Sequence, residues 1–462
     1  MNARHYTLRK HWLILLIGWI VLAAGVFPLQ GQESYISNRM VNLSRIEGEK
    51  ELESVTVDRQ IEGNTIHLLW VEYEYNKPGK LYYRRSADLG ETWDNPILIM
   101  TQSDSGELTG SEYRKSMAVS GNTVHIAVTD YDYNYPDNGT GRLYYFRSDD
   151  NGVAFSEGTV IDMIDGYKRI TNSQIRAMGE QVVIAYKKEL YRASELYAAV
   201  STDSGKNFKK NLVDKSSTET HATTLYDLHF DGSHIHVLHG YYSWYLGPGG
   251  GRVYMSTSAD RGQIFSTKLL SGDITSCFEP WPSNRGDHYW PHVAKVGNTL
   301  HVIFERFEKA SMYVRSDDNG ATWTPPINLR EADMTNNQSS HHTIIAKGDY
   351  VYVSYSYRGC HYLKISKDKG LSWKPSRRIM RQSPGNVTLY KLLPDPNDVT
   401  GKTFYVFGGC FDKAKSTNAG ESFIDIATYP INFNSTPGKV NQLMIDGKGT
   451  EHLIASLAPI SD

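Results

Sequence analysis

Histidine, tyrosine and arginine recur at matching points along this sequence. His221 goes with Tyr241 and Tyr242; His288, Tyr289, Trp290 and His292 go with Glu305 and Arg306; His341 and His342 go with Tyr357, Arg358 and His361. Earlier in the chain the same places hold Tyr113 and Arg114 with Asp130, Tyr131 and Asp132, then Asn172 and Gln174 with Lys187 and Lys188. A guanidinium is permanently charged and grips a carboxylate through two parallel bonds. An imidazole near its own pKa, or a phenol whose pKa nearby cations lower, can move protons. Together they suit β-elimination on a uronate. Arg306 would neutralise the sugar carboxylate so that the C5 proton acidifies, His221 would remove that proton, and Tyr241 would protonate the departing O4, the last two roles being interchangeable. Arg114, Lys187, Tyr242, His288, Tyr289, Trp290, His292, His341, His342 and Arg358 are the candidate substrate-binding residues. Tyr242, Trp244, Tyr245, Trp281 and Trp290 offer rings to sugar faces, and equally suit loop packing.

Two other chemistries fit subsets of these residues. Glu305 with Asp130 or Asp132 is a carboxylate pair of the kind glycoside hydrolysis uses. Imidazoles at His288, His292, His341 and His342, brought from two neighbouring strands, are a ligand set for zinc. No residue pattern requires a cofactor, and a structural or site Zn or Ca is compatible with the sequence. Any one of these histidines also fits a plain strand-end hydrogen bond.

The elements that must position these side chains follow from an internal repeat. Ser-x-Asp-x-Gly-x-x-aromatic begins at Ser86, Ser148, Ser201, Ser258, Ser316 and Ser366, and a seventh copy at Ser416 carries Asn418 for the Asp. Third positions lie 50 to 62 residues apart. The carboxylate is expected to close a turn, the Gly to take φ > 0, and the aromatic to fill the space between sheets. An alternating strand precedes each copy (Lys80 to Arg85, Ser311 to Arg315) and a short one follows it (Pro96 to Ile99). Between copies stands a more apolar hairpin, such as Met117 to Val119 and Thr123 to Val128 around Ser120-Gly121-Asn122. Four strands in about fifty residues make one propeller blade. Seven repeats predict an all-β, seven-bladed propeller of four-stranded antiparallel blades. A further hairpin, Val440 to Ile445 and His452 to Ala455, leaves eight blades as the alternative, closed by strands near Tyr35 to Leu43. With strands A to D alternating in direction, the repeat turn lies on one face. The start of A and the end of B lie on the other, where the candidate residues fall. Tyr241 to Gly251 and Ser271 to His288 read as loops at that mouth.

The repeat resembles the Asp box of the sialidase-like, BNR-repeat propellers, over Ser86 to Phe423. Sialidases carry an Arg-Ile-Pro near the start, and here Arg45-Ile46-Glu47 has Glu in place of Pro. Within the group the chain resembles the propeller polysaccharide lyases of the ulvan-lyase type more than true sialidases. That resemblance implies His, Tyr and Arg drawn from inner strands of neighbouring blades. Three functions stay open: a polysaccharide lyase on an acidic, uronate-containing polymer, an exo-glycosidase of the sialidase type, and a noncatalytic glycan-binding propeller.

The first residues hold Arg4, Arg9 and Lys10, followed by an uncharged stretch from Trp12 to Leu29 and a polar Gln30-Gly31-Gln32. This pattern predicts an export signal over 1–32 and a single propeller over 33–462, secreted or periplasmic; a retained anchor is the alternative. No membrane contact is expected once the signal is cleaved. A net charge of -2 gives no basic excess for nucleic acid. Tyr, Trp and Phe make up 12% of the chain and its 39 Gly are scattered, as short strands and tight turns require. Cys277, Cys360 and Cys410 are too few and too widely spaced for a disulfide framework. A monomer is expected, with an acidic polysaccharide as partner.

Overall fold

The computed structural model describes residues 53–73, 77–89, 91–102, 115–132, 139–166, 168–190, 193–215, 221–243, 252–272, 291–306, 310–331, 334, 339–357, 360–380, 391–395, 397–407, 413–425, 439–445 and 451–456. Among them the regular elements are all strands, arranged as seven four-stranded antiparallel sheets and one two-stranded hairpin. Each sheet consists of four consecutive strands, A to D, beginning at Glu53, Lys115, Arg169, His221, His292, Ser339 and Lys391. The A strands of successive sheets touch in turn. The chain is therefore a seven-bladed β-propeller with A innermost. The hairpin of Lys439–Ile445 and Glu451–Ser456 touches strand A of blade 1, Glu53–Glu62. The extra hairpin expected after the seventh repeat is thus present as two strands. Its expected N-terminal partner, the signal segment, Cys277 and Cys410 lie outside the described residues.

Strand periodicity explains why no single central core exists. In strand B of blade 2 (Thr123–Asp132), Val124, Ile126 and Val128 pack against blade 1, while Ala127 packs toward blade 3. Alternate side chains serve opposite sheet faces, so each blade contributes to two apolar layers. Such layers lie between every pair of consecutive blades from 1 to 7.

The repeat turn ties each blade to itself and to the blade before it. In blade 2, the Ser148 hydroxyl donates to Asp150 Oδ1 at 2.7 Å and accepts from the Gly152 N–H at 2.8 Å. The same Oδ1 accepts the amides of Val153 and Ala154 at 3.0 Å. Asn418 Oδ1 does this work in blade 7, accepting Ser416 Oγ at 3.1 Å and the Ser422 N–H at 2.9 Å. The residue after the Asp also adopts positive φ (Asn151 59°, Ser204 59°, Lys369 55°), so the turn has two left-handed residues where the sequence rule marked one. In six blades that residue's amide donates to the A–B turn of its own blade, as Asn151 N to Asn122 O at 2.7 Å and Lys369 N to Asp349 O at 2.8 Å. The glycine is required twice over. Besides φ near +82°, a Cβ on Gly205 would run into the Tyr145 hydroxyl of the preceding blade. The terminal aromatic does fill the gap between sheets: Phe155 packs edge-on against Tyr83 at 4.7 Å, Phe208 against Tyr145 at 4.9 Å, and Trp373 against Tyr313 at 4.9 Å.

Asp88, Asp150 and Asp318 are exposed, and Asp203, Asp260 and Asp368 half-buried. Asp150→Ala therefore loses a capping interaction rather than a buried group. It is expected to cost about 1 kcal/mol with turnover per folded molecule unchanged, as thermal melts paired with rate measurements would show. Loss of turnover at unchanged stability would put the active face on the wrong side.

Candidate functional site

In six blades the repeat turn is bonded to its own A–B turn, and blade 4 has the same strand order, so these two turns share one face. The start of A and the end of B lie on the opposite face. His221 opens strand A of blade 4 (His221–Phe230), and Tyr241 and Tyr242 lie near the end of its strand B (Ile235–Ser243). His292 opens strand A of blade 5 (His292–Val296), and Arg306 ends its strand B (Thr299–Arg306). His341 and His342 fall near the start of strand A of blade 6 (Ser339–Lys347), and Lys187 near the end of strand B of blade 3 (Gln181–Glu189). The fold gathers all of these positions at one face, over four consecutive blades. Arg114, His288, Tyr289, Trp290 and Arg358 lie outside the described residues, as do the side chains of His221, Tyr241, Tyr242, Arg306, His341 and His342.

Register adds what spacing alone does not show. His221 pairs with Ser243 and Thr223 with Tyr241. His221 and Tyr241 are therefore diagonal neighbours on the same sheet face, a relation that places Cα atoms about 7–8 Å apart. Tyr242, paired with Ala222, belongs to the other face. In blade 6 the pairing passes from Ser340–Ser356 to Thr343–Ser354, so His341 and His342 together oppose Tyr355 in a bulge. Bulges bend a strand and re-aim its residues, and they concentrate near functional sites.

Several side chains of this face are described in blades 2 and 3, and there the polar groups are already committed. Lys187 is buried and its ammonium pairs with Glu189 at 2.6 Å, which also accepts from Thr171 Oγ1 at 3.2 Å. Lys187, expected to bind substrate, is thus a paired cation: residues i and i+2 on a strand share a side, and burial demands a counter-charge. Tyr131 is buried beneath the Arg169 guanidinium, 4.8 Å from the ring centroid, and Asp130 is buried beside it in sequence. Gln174, expected at the mouth, instead donates to the Tyr226 carbonyl at 3.0 Å and laces strand A of blade 3 to that of blade 4. Behind Lys187, Asp162 from strand D of blade 2 (Thr159–Asp165) receives three groups of blade 3: Tyr186 Oη at 2.6 Å, Lys188 Nζ at 2.6 Å and Lys210 Nζ at 2.9 Å. Burial pushes its carboxyl up, but these partners outweigh burial and hold it below its ordinary value. Among the described residues no three His, Cys, Asp or Glu side chains converge to hold a metal. Of the four proposed zinc ligands, only the His292 side chain is described; it is half-buried.

Sequence reasoning missed a second set of histidines. His67, His125 and His301 lie on B strands and are fully buried, each with Nδ1 at 2.6–2.7 Å from a tyrosine hydroxyl of the adjacent C strand. A readable signal exists. Each closes a Gly-Asn-Thr-apolar-His stretch (Gly63 to His67, Gly121 to His125, Gly297 to His301), and each blade concerned then carries Tyr-x-Arg-Ser at its repeat turn.

No family model matches the chain, and no curated protein matches it. Solved structures of similar fold include a PL25 ulvan lyase, 14% identical over 78% of this chain and 89% of that one, with a TM-score of 0.47. Others are the GH93 α-L-arabinofuranosidase of Fusarium graminearum with arabinobiose (15% identity, 66% and 88% covered, TM-score 0.37) and YCF48 bound to D1 peptide (15%, 78% and 93%, 0.38).

Proposed function

We propose that the protein is an exported polysaccharide lyase that cleaves an acidic, uronate-containing, ulvan-like polymer by β-elimination at the face opposite the repeat turns. One observation carries this reading: the register sets His221 and Tyr241 diagonally on one sheet face of blade 4, with Arg306 ending the equivalent strand B of blade 5 on the same side of the ring. Arg306 pairs with the sugar carboxylate and makes the C5–H more acidic. His221 takes the C5 proton, the electron pair forms the C4–C5 double bond, the C4–O4 bond breaks, and Tyr241 gives its proton to O4. No water is consumed. His292, His341 and His342 line the neighbouring inner-strand starts, where flanking sugars would lie. Glu305 stands next to Arg306, so a hydrolytic route is the competing chemistry. Mass analysis of products separates them: elimination yields fragments whose masses sum to that of the parent, whereas hydrolysis adds one water per cut. Products carrying the added water would replace this reading with a glycosidase.

A further inference from the structure

The three buried histidines repeat one arrangement that the proposed chemistry does not use. His67, His125 and His301 pair in register with Arg85, Arg147 and Arg315 on the adjacent C strand. Each imidazole also meets the hydroxyl of Tyr83, Tyr145 or Tyr313, and each of those tyrosines lies under the repeat-turn glycine of the following blade, Gly152, Gly205 or Gly370. The same tyrosines carry the edge-on contact of the following blade's aromatic. Histidine, tyrosine and turn therefore form one contact that joins blades 1 and 2, 2 and 3, and 5 and 6.

We propose that these His–Tyr–turn contacts are an acid-sensitive switch, in which protonation of the buried imidazoles loosens the three blade interfaces. A protonated imidazole would sit opposite a guanidinium inside a dry interface. Nε2 of His67 and of His125 is buried without a hydrogen-bond partner, so nothing at that atom would compensate a charge. The charged surroundings are few. Arg85 faces His67, with Asp94 and the next blade's Asp150 beside Tyr83; Arg147 faces His125, with Asp149 and Asp203 beside Tyr145; Arg315 and Asp317 face His301, with Asp368 beside Tyr313. The acids are spoken for: Arg85 binds Asp94, Arg147 binds Asp149 and Arg315 binds Asp317.

Burial first, and the arginine second, lower each imidazole from 6.5 to about 4. The folded state therefore keeps them neutral where the unfolded chain would protonate them. Stability is whole above about pH 6.5, declines as pH falls through the interval, and levels off below about pH 4. At about pH 5 each imidazole should shift the folding equilibrium about thirtyfold toward unfolding relative to about pH 8. The repeat-turn carboxylates titrate below this window, Asp88 and Asp368 at about 2, held down by hydrogen bonds to Thr92, Ser86, Ser366 and Ser372.

The test is the melting temperature of the full chain across about pH 8 to 4.5, for wild type and for His67→Gln/His125→Gln/His301→Gln. Wild type should lose stability steadily below about pH 6.5, and the variant much less, the remainder coming from His236 and His239, also buried and lowered to about 3 and about 4, and from His229, which burial lowers too. A flat wild-type profile, or an equal fall in the variant, overturns the proposal. Should the triple variant not fold, histidine-labelled wild type decides it by NMR: imidazoles that stay neutral down to about pH 5 support the switch, and titration of all of them near 6.5 overturns it.

Discussion

His221→Ala is expected to lower turnover on a uronate polymer by a factor of about 100 to 10,000 while leaving part of the substrate affinity, because a base contributes chiefly in the transition state. Arg306→Lys should be severely impaired as well. A lysine restores the charge but not the paired bonds to a carboxylate, and its compact ammonium sits on a flexible stem. Tyr241→Phe completes the set, removing only the proton to be donated. All three positions lie at or near strand ends on the face opposite the repeat turns, so melting temperatures should stay within a few degrees of wild type. Initial rates read beside melts check this directly: near wild-type rates in His221→Ala and Arg306→Lys would remove the assignment.

The second large effect is structural. Asp162→Ala is expected to destabilise the protein by about 3–5 kcal/mol, the usual consequence of removing one partner of a buried ionic group. The carboxylate is 5% exposed and is the shared acceptor for Tyr186, Lys188 and Lys210, which cross from blade 3 to blade 2. Lys188 is largely buried too, its ammonium 4.8 Å from the Tyr197 ring centroid. Truncation leaves that ammonium and a buried phenol without their acceptor. Asp162→Asn, which keeps the acceptor oxygen for Tyr186 but not the charge, should lie between Ala and wild type in denaturant melts. An Ala variant as stable as the parent would show that the apolar layer between blades 2 and 3 holds this interface unaided.

Much of the fold is legible in the sequence because the propeller is built from local units. The six Ser-x-Asp-x-Gly turns, the seventh with Asn418, and the hairpins between them depend on residues within a few positions of one another, and the structure places them as read. The face opposite the turns follows from strand alternation alone. What escapes a linear reading is set by pairing between strands and between blades. The bulge at His341 and His342 exists only relative to Tyr355. The Asp162 group joins residues 24 to 48 positions apart on two blades. Lys187 is intermediate: Glu189 two residues on was visible, but only burial makes that pairing compulsory. The buried His67, His125 and His301 were marked by their shared pentapeptide, yet their partners are fixed by cross-strand register with Arg85, Arg147 and Arg315.

Elimination at the face gathering His221, Tyr241 and Arg306 is tested most directly by ultraviolet absorbance during incubation with a panel of purified uronate polysaccharides. Elimination conjugates the new C4–C5 double bond with the carboxylate, so absorbance should rise with time on at least one sulfated or unsulfated uronate polymer, and the rise should be abolished by Arg306→Lys. Release of new chain ends without any rise in absorbance would contradict elimination and establish hydrolysis instead.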